Sequence, residues 1–257
     1  MPRRHRNATG GYVYHVLNRA VGRGTIFENA KDYAAFEKVF EEAREQVEMR
    51  VLAFCLMPNH WHLMLWPVGD GDLSDYMCWL TNTHTRRWHL AHGTVGTGPL
   101  YQGRFKSFPV EDDEHFSTVC RYVERNALRA DLVGRAEDWR WSSLWHRVNR
   151  SRVVTLDKWP VARGRNWIQF VNDPETEAEL KALRRSVRRG TPSGTSDWQQ
   201  RTAKRLGLES SLRDPGRLRK QKATNKKPRP RSSPVPHPLA NRQRHKPRHA
   251  WYPTSRG

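Results

Sequence analysis

The segment Val51-Leu52-Ala53-Phe54-Cys55-Leu56-Met57-Pro58-Asn59-His60-Trp61-His62-Leu63-Met64-Leu65-Trp66 leaves this chain few folds to choose from. Its first seven residues are continuously apolar, as in a central strand buried on both faces. Pro58-Asn59 allows only a short connection, so the following strand must return antiparallel beside the first. Proline cannot supply the positive φ of the favoured two-residue hairpin turns, so this turn is of another type or slightly longer. Side chains alternate along a strand, which puts His60 and His62 on one face and Trp61, Leu63 and Leu65 on the other. The two imidazoles are separated by roughly 7 Å along the backbone, so one metal ion between them can be reached by a nitrogen from each. Taken alone, a His-x-His pair on a strand more often serves packing or surface than a metal.

Elements of two periods flank this hairpin. Gly11-Tyr12-Val13-Tyr14-His15-Val16-Leu17-Asn18 follows a glycine break and is rich in β-branched and aromatic residues, which predicts a first strand. Tyr33, Phe36, Val39, Phe40, Ala43 and Val47 recur at helical spacing from Asn29 to about Met49, and Leu73, Tyr76, Met77, Leu80, His84, Trp88 and Ala91 do so from Asp72. Gly103 to Val110 predicts a fourth strand with Arg104 and Lys106 on one face. Asp112-Asp113 then caps a helix running to Arg129. Strand, helix, strand, strand, helix, strand is the order of a split βαβ arrangement. The fold expected is α+β: a ferredoxin-like antiparallel sheet with helices on one face, the other face free, and a helical basic C-terminal extension. The tryptophan-dense run Trp139 to Trp145 is expected to fold back over an edge or a helix rather than to stack on bases.

Past residue 150, Asp173-Pro174 predicts a capped helix start, and Ser196 to Gly207 a further helix. From Pro215 onward the chain has 13 lysines and arginines, eight prolines and no acidic residue, a composition that cannot bury a core. The expected division is residues 1–148 as a catalytic domain, 149–214 as the helical extension and 215–257 as a disordered basic tail. A net charge of +20 makes a nucleic acid the default partner. No apolar run approaches the roughly 20 residues of a membrane-crossing helix, and the basic N-terminus with Arg3 and Arg4 lacks the apolar core of a secretory signal. Cys55, Cys78 and Cys120 lie in apolar periodic segments without zinc spacing and read as buried thiols in a reducing cytoplasm.

Tyr122, Asn126 and Arg129 fall at i, i+4 and i+7 on the helix predicted from Asp113 to Arg129, one stripe offset from the apolar one. A tyrosine oxygen can attack a phosphodiester whose charge is neutralised, as a metal on His60 and His62 would do. Asn126, one turn along, can offer an amide oxygen as third ligand. Such a mixed nitrogen and oxygen set suits Mg²⁺ or Mn²⁺ better than a closed zinc site. The same spacing also fits a half-buried helix tyrosine with its hydroxyl in solvent.

Four stretches together bear on these readings: Gly11 to Val16, Met57 to Leu63, Tyr101 to Ser107 and Tyr122 to Val133. As a set, from about Tyr12 to Trp145, they resemble the REP-associated tyrosine transposases, relatives of the single-tyrosine insertion-sequence transposases within the HUH single-strand nuclease superfamily. The resemblance implies that His60 and His62 are the metal-binding pair, Asn126 the third ligand and Tyr122 the nucleophile forming a 5′-phosphotyrosine. It implies a monomer, with a dimer as the alternative, acting in the cytoplasm on single-stranded DNA beside a short palindromic hairpin. Arg104 and Lys106 fall in the family's DNA-contacting strand, and Arg129, Arg3 and Arg4 join them as expected DNA contacts. Gly216-Arg217-Leu218-Arg219-Lys220 is similar to the family's basic ending, so Arg217, Arg219 and Lys220 are expected on phosphates. Where the family often has proline and glycine, this chain has Ala127 and Asp131, and the absence of proline is expected to let the helix continue. A non-catalytic DNA-binding regulator and a metal hydrolase using water are the competing readings.

Overall fold

The computed structural model describes residues 8–213, so Arg3, Arg4, Arg217, Arg219, Lys220 and the basic tail lie outside the described residues. Strand β1 (Val13–Arg19), helix α1 (Ala30–Gln46), β2 (Met49–Met57), β3 (His60–Pro67), helix α2 (Asp72–Ala91) and β4 (Lys106–Val110) follow in the expected order. The sheet runs β2-β3-β1-β4, and every neighbouring pair is antiparallel. Met57 pairs with His60, so the hairpin loop is Pro58-Asn59 alone. Neither residue takes a positive φ, so the turn is not one of the primed types. Its carbonyls are held from outside: Pro58 O accepts from Ile26 N at 2.7 Å and Phe27 N at 3.1 Å, and Asn59 O from Ala20 N at 3.0 Å.

The predicted fourth strand is too long. β1 is anchored to the later segment at Leu17↔Lys106 and again at Ala20↔Tyr101. Between these anchors β1 has two residues and the later segment four, so the excess loops out. Arg104 therefore sits exposed on that loop, off the strand, whereas Lys106 begins the strand.

Both faces of the sheet are covered, which corrects the expectation of helices on one face. Tyr14, Val16, Phe54, Leu56, Trp61, Leu63 and Leu65 pack on α1 and α2. Val13, Ala53, Cys55, Met57, Met64, Phe108 and Val110 pack on helix α3 (Glu114–Glu124), with Ala127 of α4 (Asn126–Arg129), Leu144 of α5 (Ser143–Val148), Trp167 and Val171 of α6 (Trp167–Asn172) and Leu183 of α7 (Glu177–Arg189). A bulge at Leu52 turns both Leu52 and Ala53 to this second face. The burial of Glu124 on α3 shows why the extension stays there. Its carboxylate accepts from Ser143 Oγ at 2.5 Å and from Trp167 Nε1 at 2.7 Å, so α5 and α6 are bonded to the back of α3.

The expected single helix from Asp113 to Arg129 is interrupted at Arg125, where ψ opens to −4°. The guanidinium of Arg125 reaches the carbonyls of Val171 and Asn172 and lies 3.3 Å from Glu175, drawing the turn toward the extension. Absence of proline at position 127 thus does not keep the helix continuous. The helix expected to start at Asp173 starts later, because Thr176 and Glu179 form the capping box and Asp173 instead ends α6. Helix α8 (Ser196–Leu206) closes at Gly207 with φ 67°, as expected. Trp139 and Trp141 cover the free edge of β2: Trp139 Nε1 donates to Leu56 O at 2.9 Å, and Trp141 O accepts from Leu56 N at 2.9 Å. Cys55 and Cys120 are buried, but Cys78 is exposed on the outer side of α2. No helix among the described residues is long and apolar enough to cross a membrane.

Beneath the first face, Trp61 Nε1 donates to the Tyr101 hydroxyl at 3.0 Å, which donates to His84 Nδ1 at 2.7 Å. Burial, and then the neighbouring His92, push the His84 pKa down to about 3. The native state therefore refuses a proton that the unfolded chain accepts below its ordinary value of about 6.5. Stability is full above that value and falls as the pH drops toward 3. In metal-free protein the urea midpoint should decline from pH 7 to pH 4, and less so in His84→Gln. An equal decline in both would remove His84 as a source.

Candidate metal and nucleophile site

Strand pairing sets the site out in rows on the second face. Directly opposed residues share a face, so Met57, His60 and Arg19 form one row. Cys55, His62, Leu17 and Lys106 form the next, and Ala53, Met64, His15 and Phe108 the third. The imidazoles of His60 and His62 have ring centroids 5.1 Å apart. Helix α3 crosses above them and brings the Tyr122 ring to 5.8 Å from His62 and 6.3 Å from His15. The phenol and both imidazoles therefore stand on one side of one sheet, within one chain.

Every imidazole here is held neutral. Burial drives His60 down to about 4, with help from the cationic Arg19 and Arg129, and drives His15 down to about 3. His62 is pushed well below its ordinary value by burial, then by His15, His60, Arg129 and Arg19. Neutral rings keep the lone pair that a metal requires. Asn126 opens α4 just past the break, its amide buried and its Nδ2 without a partner. The next residue, Ala127, meets the Cys55 thiol through its backbone, and Cys55 is the ladder partner of His62, which brings the start of α4 over the His62 row. Two neutral imidazole nitrogens from neighbouring positions on one strand fit a divalent cation with open positions.

Chain comparison adds a family. The family model described as "Transposase IS200 like" matches residues 9–126. The match spans a little under half of the chain. Over 130 residues the chain is 22% identical to a Haemophilus influenzae protein assigned by name to the REP-associated tyrosine transposases, covering 48% of this chain and 73% of the relative. A solved REP-associated tyrosine transposase bound to a REP hairpin is similar at 18% identity and a TM-score of 0.47, over 62% of this chain and 90% of that one. A Deinococcus radiodurans protein assigned as a transposase is similar at 17% identity and a TM-score of 0.35, over 48% and 96%. The resemblance carried by the motifs is met by the family model over residues 9–126 and by the Haemophilus influenzae relative.

Around the candidate site the cations divide. Lys106 is exposed on the site face, in the row of His62, while Arg104 is on the excess loop. Arg129 lies with its guanidinium carbon 4.1 Å from the Tyr122 ring centroid and its Nη1 2.8 Å from Glu175. Arg129 is thus engaged by the phenol ring and by a carboxylate of the extension. Glu111, Asp113 and His115 also bring potential metal-ligand atoms within 4.8 Å of one another. Those groups already have work elsewhere: Glu111 accepts from Thr195 N, and Asp113 caps α3 through His115 N. Sequence reasoning missed His15, Arg19 and Glu175 as neighbours of the site. Strand parity could have found the first two, since residues 13, 15, 17 and 19 share a face. Glu175 had no local signal.

Proposed function

We propose that the chain nicks and rejoins single-stranded DNA beside a hairpin, with Tyr122 as nucleophile and His60, His62 and Asn126 as ligands for Mg²⁺ or Mn²⁺. The observation that carries this reading is the 5.8 Å separation of the Tyr122 and His62 rings on one sheet face. The phenol oxygen attacks phosphorus and loses its proton. The bond to the 3′ oxygen breaks, leaving a free 3′ hydroxyl and a 5′-phosphotyrosine. Bond energy is kept, so the end can be returned or passed to another strand. A bound divalent ion would neutralise phosphate charge and polarise the phosphorus. Arg19, in the row of His60, and Lys106, in the row of His62, both lie on the β1 and β4 side of the pair and can hold neighbouring phosphates of the strand. One chain supplies imidazoles and phenol, so the reading requires no second copy.

Support for a hairpin substrate comes from the relative whose solved complex holds a REP hairpin. A 5′-tailed hairpin oligonucleotide and Mn²⁺ should yield a covalent protein–DNA adduct on a denaturing gel. Binding without cleavage would favour a regulator, and cleavage without adduct a water-based hydrolase.

The basic tail is read as a sequence-independent phosphate binder. Deleting residues 215–257 removes 13 cationic side chains. The slope of log affinity against log salt should then flatten by about 0.7 to 0.9 for each phosphate the tail had neutralised. An unchanged slope would remove the tail from binding.

A further inference from the structure

We propose that His15 is a positioning residue that holds His62 in the tautomer whose Nε2 is bare and aimed at the metal, with Asn59 doing the same for His60. The proposal rests on the metal reading of the imidazole pair. His60 is the simpler half. Its Nδ1 lies 2.6 Å from Asn59 Oδ1, and the Asn59 amide is oriented by its Nδ2, which donates to Arg23 O at 3.3 Å. An oxygen acceptor requires the His60 proton to be on Nδ1, which leaves Nε2 with its lone pair.

His62 is treated in the same way by a different group. Its Nδ1 lies 2.9 Å from His15 Nε2. His15 stands opposite Met64, one pleat from His62, so the two rings meet on the diagonal with centroids 5.0 Å apart. Phe108, 4.8 Å away, walls His15 on the β4 side. If His15 donated, His62 would carry its proton on Nε2, directed where a cation must sit. If His15 accepts, both imidazoles present bare Nε2 atoms together. A neutral imidazole has one bare nitrogen, and Nε2 is the one that faces His62 Nδ1, so His15 can accept there. Its remaining nitrogen, Nδ1, has no partner and the residue is fully buried. An orphaned buried polar atom is destabilising, so packing alone would be better served by an apolar ring. The hydrogen bond to His62 is what an apolar ring could not provide.

The test compares wild type, His15→Phe, His15→Gln and His62→Gln by calorimetric titration with Mn²⁺ alone. His15→Phe keeps a ring and removes the acceptor, and its Mn²⁺ affinity should fall about 10- to 100-fold, as loss of an outer-shell partner does. His15→Gln restores an acceptor near the same place and should recover most of that loss. Hairpin binding in a chelator should be the same in wild type, His15→Phe and His15→Gln. In metal-free wild type, ¹⁵N spectra should report His60 and His62 protonated on Nδ1, a readout that stands even if His15→Phe fails to fold. Wild-type Mn²⁺ affinity in His15→Phe, or a His62 protonated on Nε2, overturns the proposal while His62→Gln still weakens binding. If His62→Gln itself binds Mn²⁺ like wild type, the metal reading of the pair falls, and this proposal with it.

Discussion

Tyr122→Phe should give no covalent adduct on a 5′-tailed hairpin oligonucleotide and should cleave it slower by roughly 10⁴-fold or more, the scale on which loss of a nucleophile is felt. The substitution removes one oxygen and little else. The ring still packs against His62 and beneath Arg129, so the melting temperature and the affinity for uncleaved hairpin should stay close to wild type. That separation makes the result informative: activity disappears while the fold and the binding surface persist. Adduct formation by the phenylalanine variant would remove Tyr122 from the reaction.

His62→Ala should lose metal-dependent cleavage by roughly 10³-fold or more, because the divalent ion supplies several kcal/mol of charge stabilisation to the reacting phosphate. It should also lower stability. The substitution leaves His15 Nε2 buried without a partner, which costs about 1–3 kcal/mol, and opens a cavity besides. His60→Ala separates the two effects, since His60 is only partly buried and its Nδ1 partner Asn59 is at the exposed turn. That variant should lose cleavage with little change in urea midpoint. Wild-type rates in both variants at saturating Mn²⁺ would place the metal elsewhere, with Glu111, Asp113 and His115 the next group to substitute.

How much of this was legible in the chain follows from the range over which each signal acts. The alternation from His60 to Trp66 named the face of each side chain, because strand parity is local. The same parity could not say what would cover that face. Sequence reasoning left it free, whereas Val119, Val123, Leu144 and Trp167 cover it. Their docking depends on Glu124 meeting Ser143 and Trp167, partners 19 and 43 residues away. The break at Arg125 has a similar cause, since the groups that draw it out lie past residue 170. The loop at Arg104 was hidden by propensity, which favoured a strand, while the two anchors on β1 left more residues than positions.

The back of α3 has a consequence for protein engineering. Glu124 is tied to Ser143 and Trp167, and Arg129 over the phenol is tied to Glu175, so three attachments of the stretch that carries Tyr122 come from beyond the matched segment 9–126. A graft of that segment into a similar chain's frame would transplant the histidines and the phenol and leave their clamp behind. Chimaeras should therefore exchange residues 9 to about 189 as one piece, so that α7, which closes the clamp through the Arg121–Glu179 pair, travels with the helix it steadies.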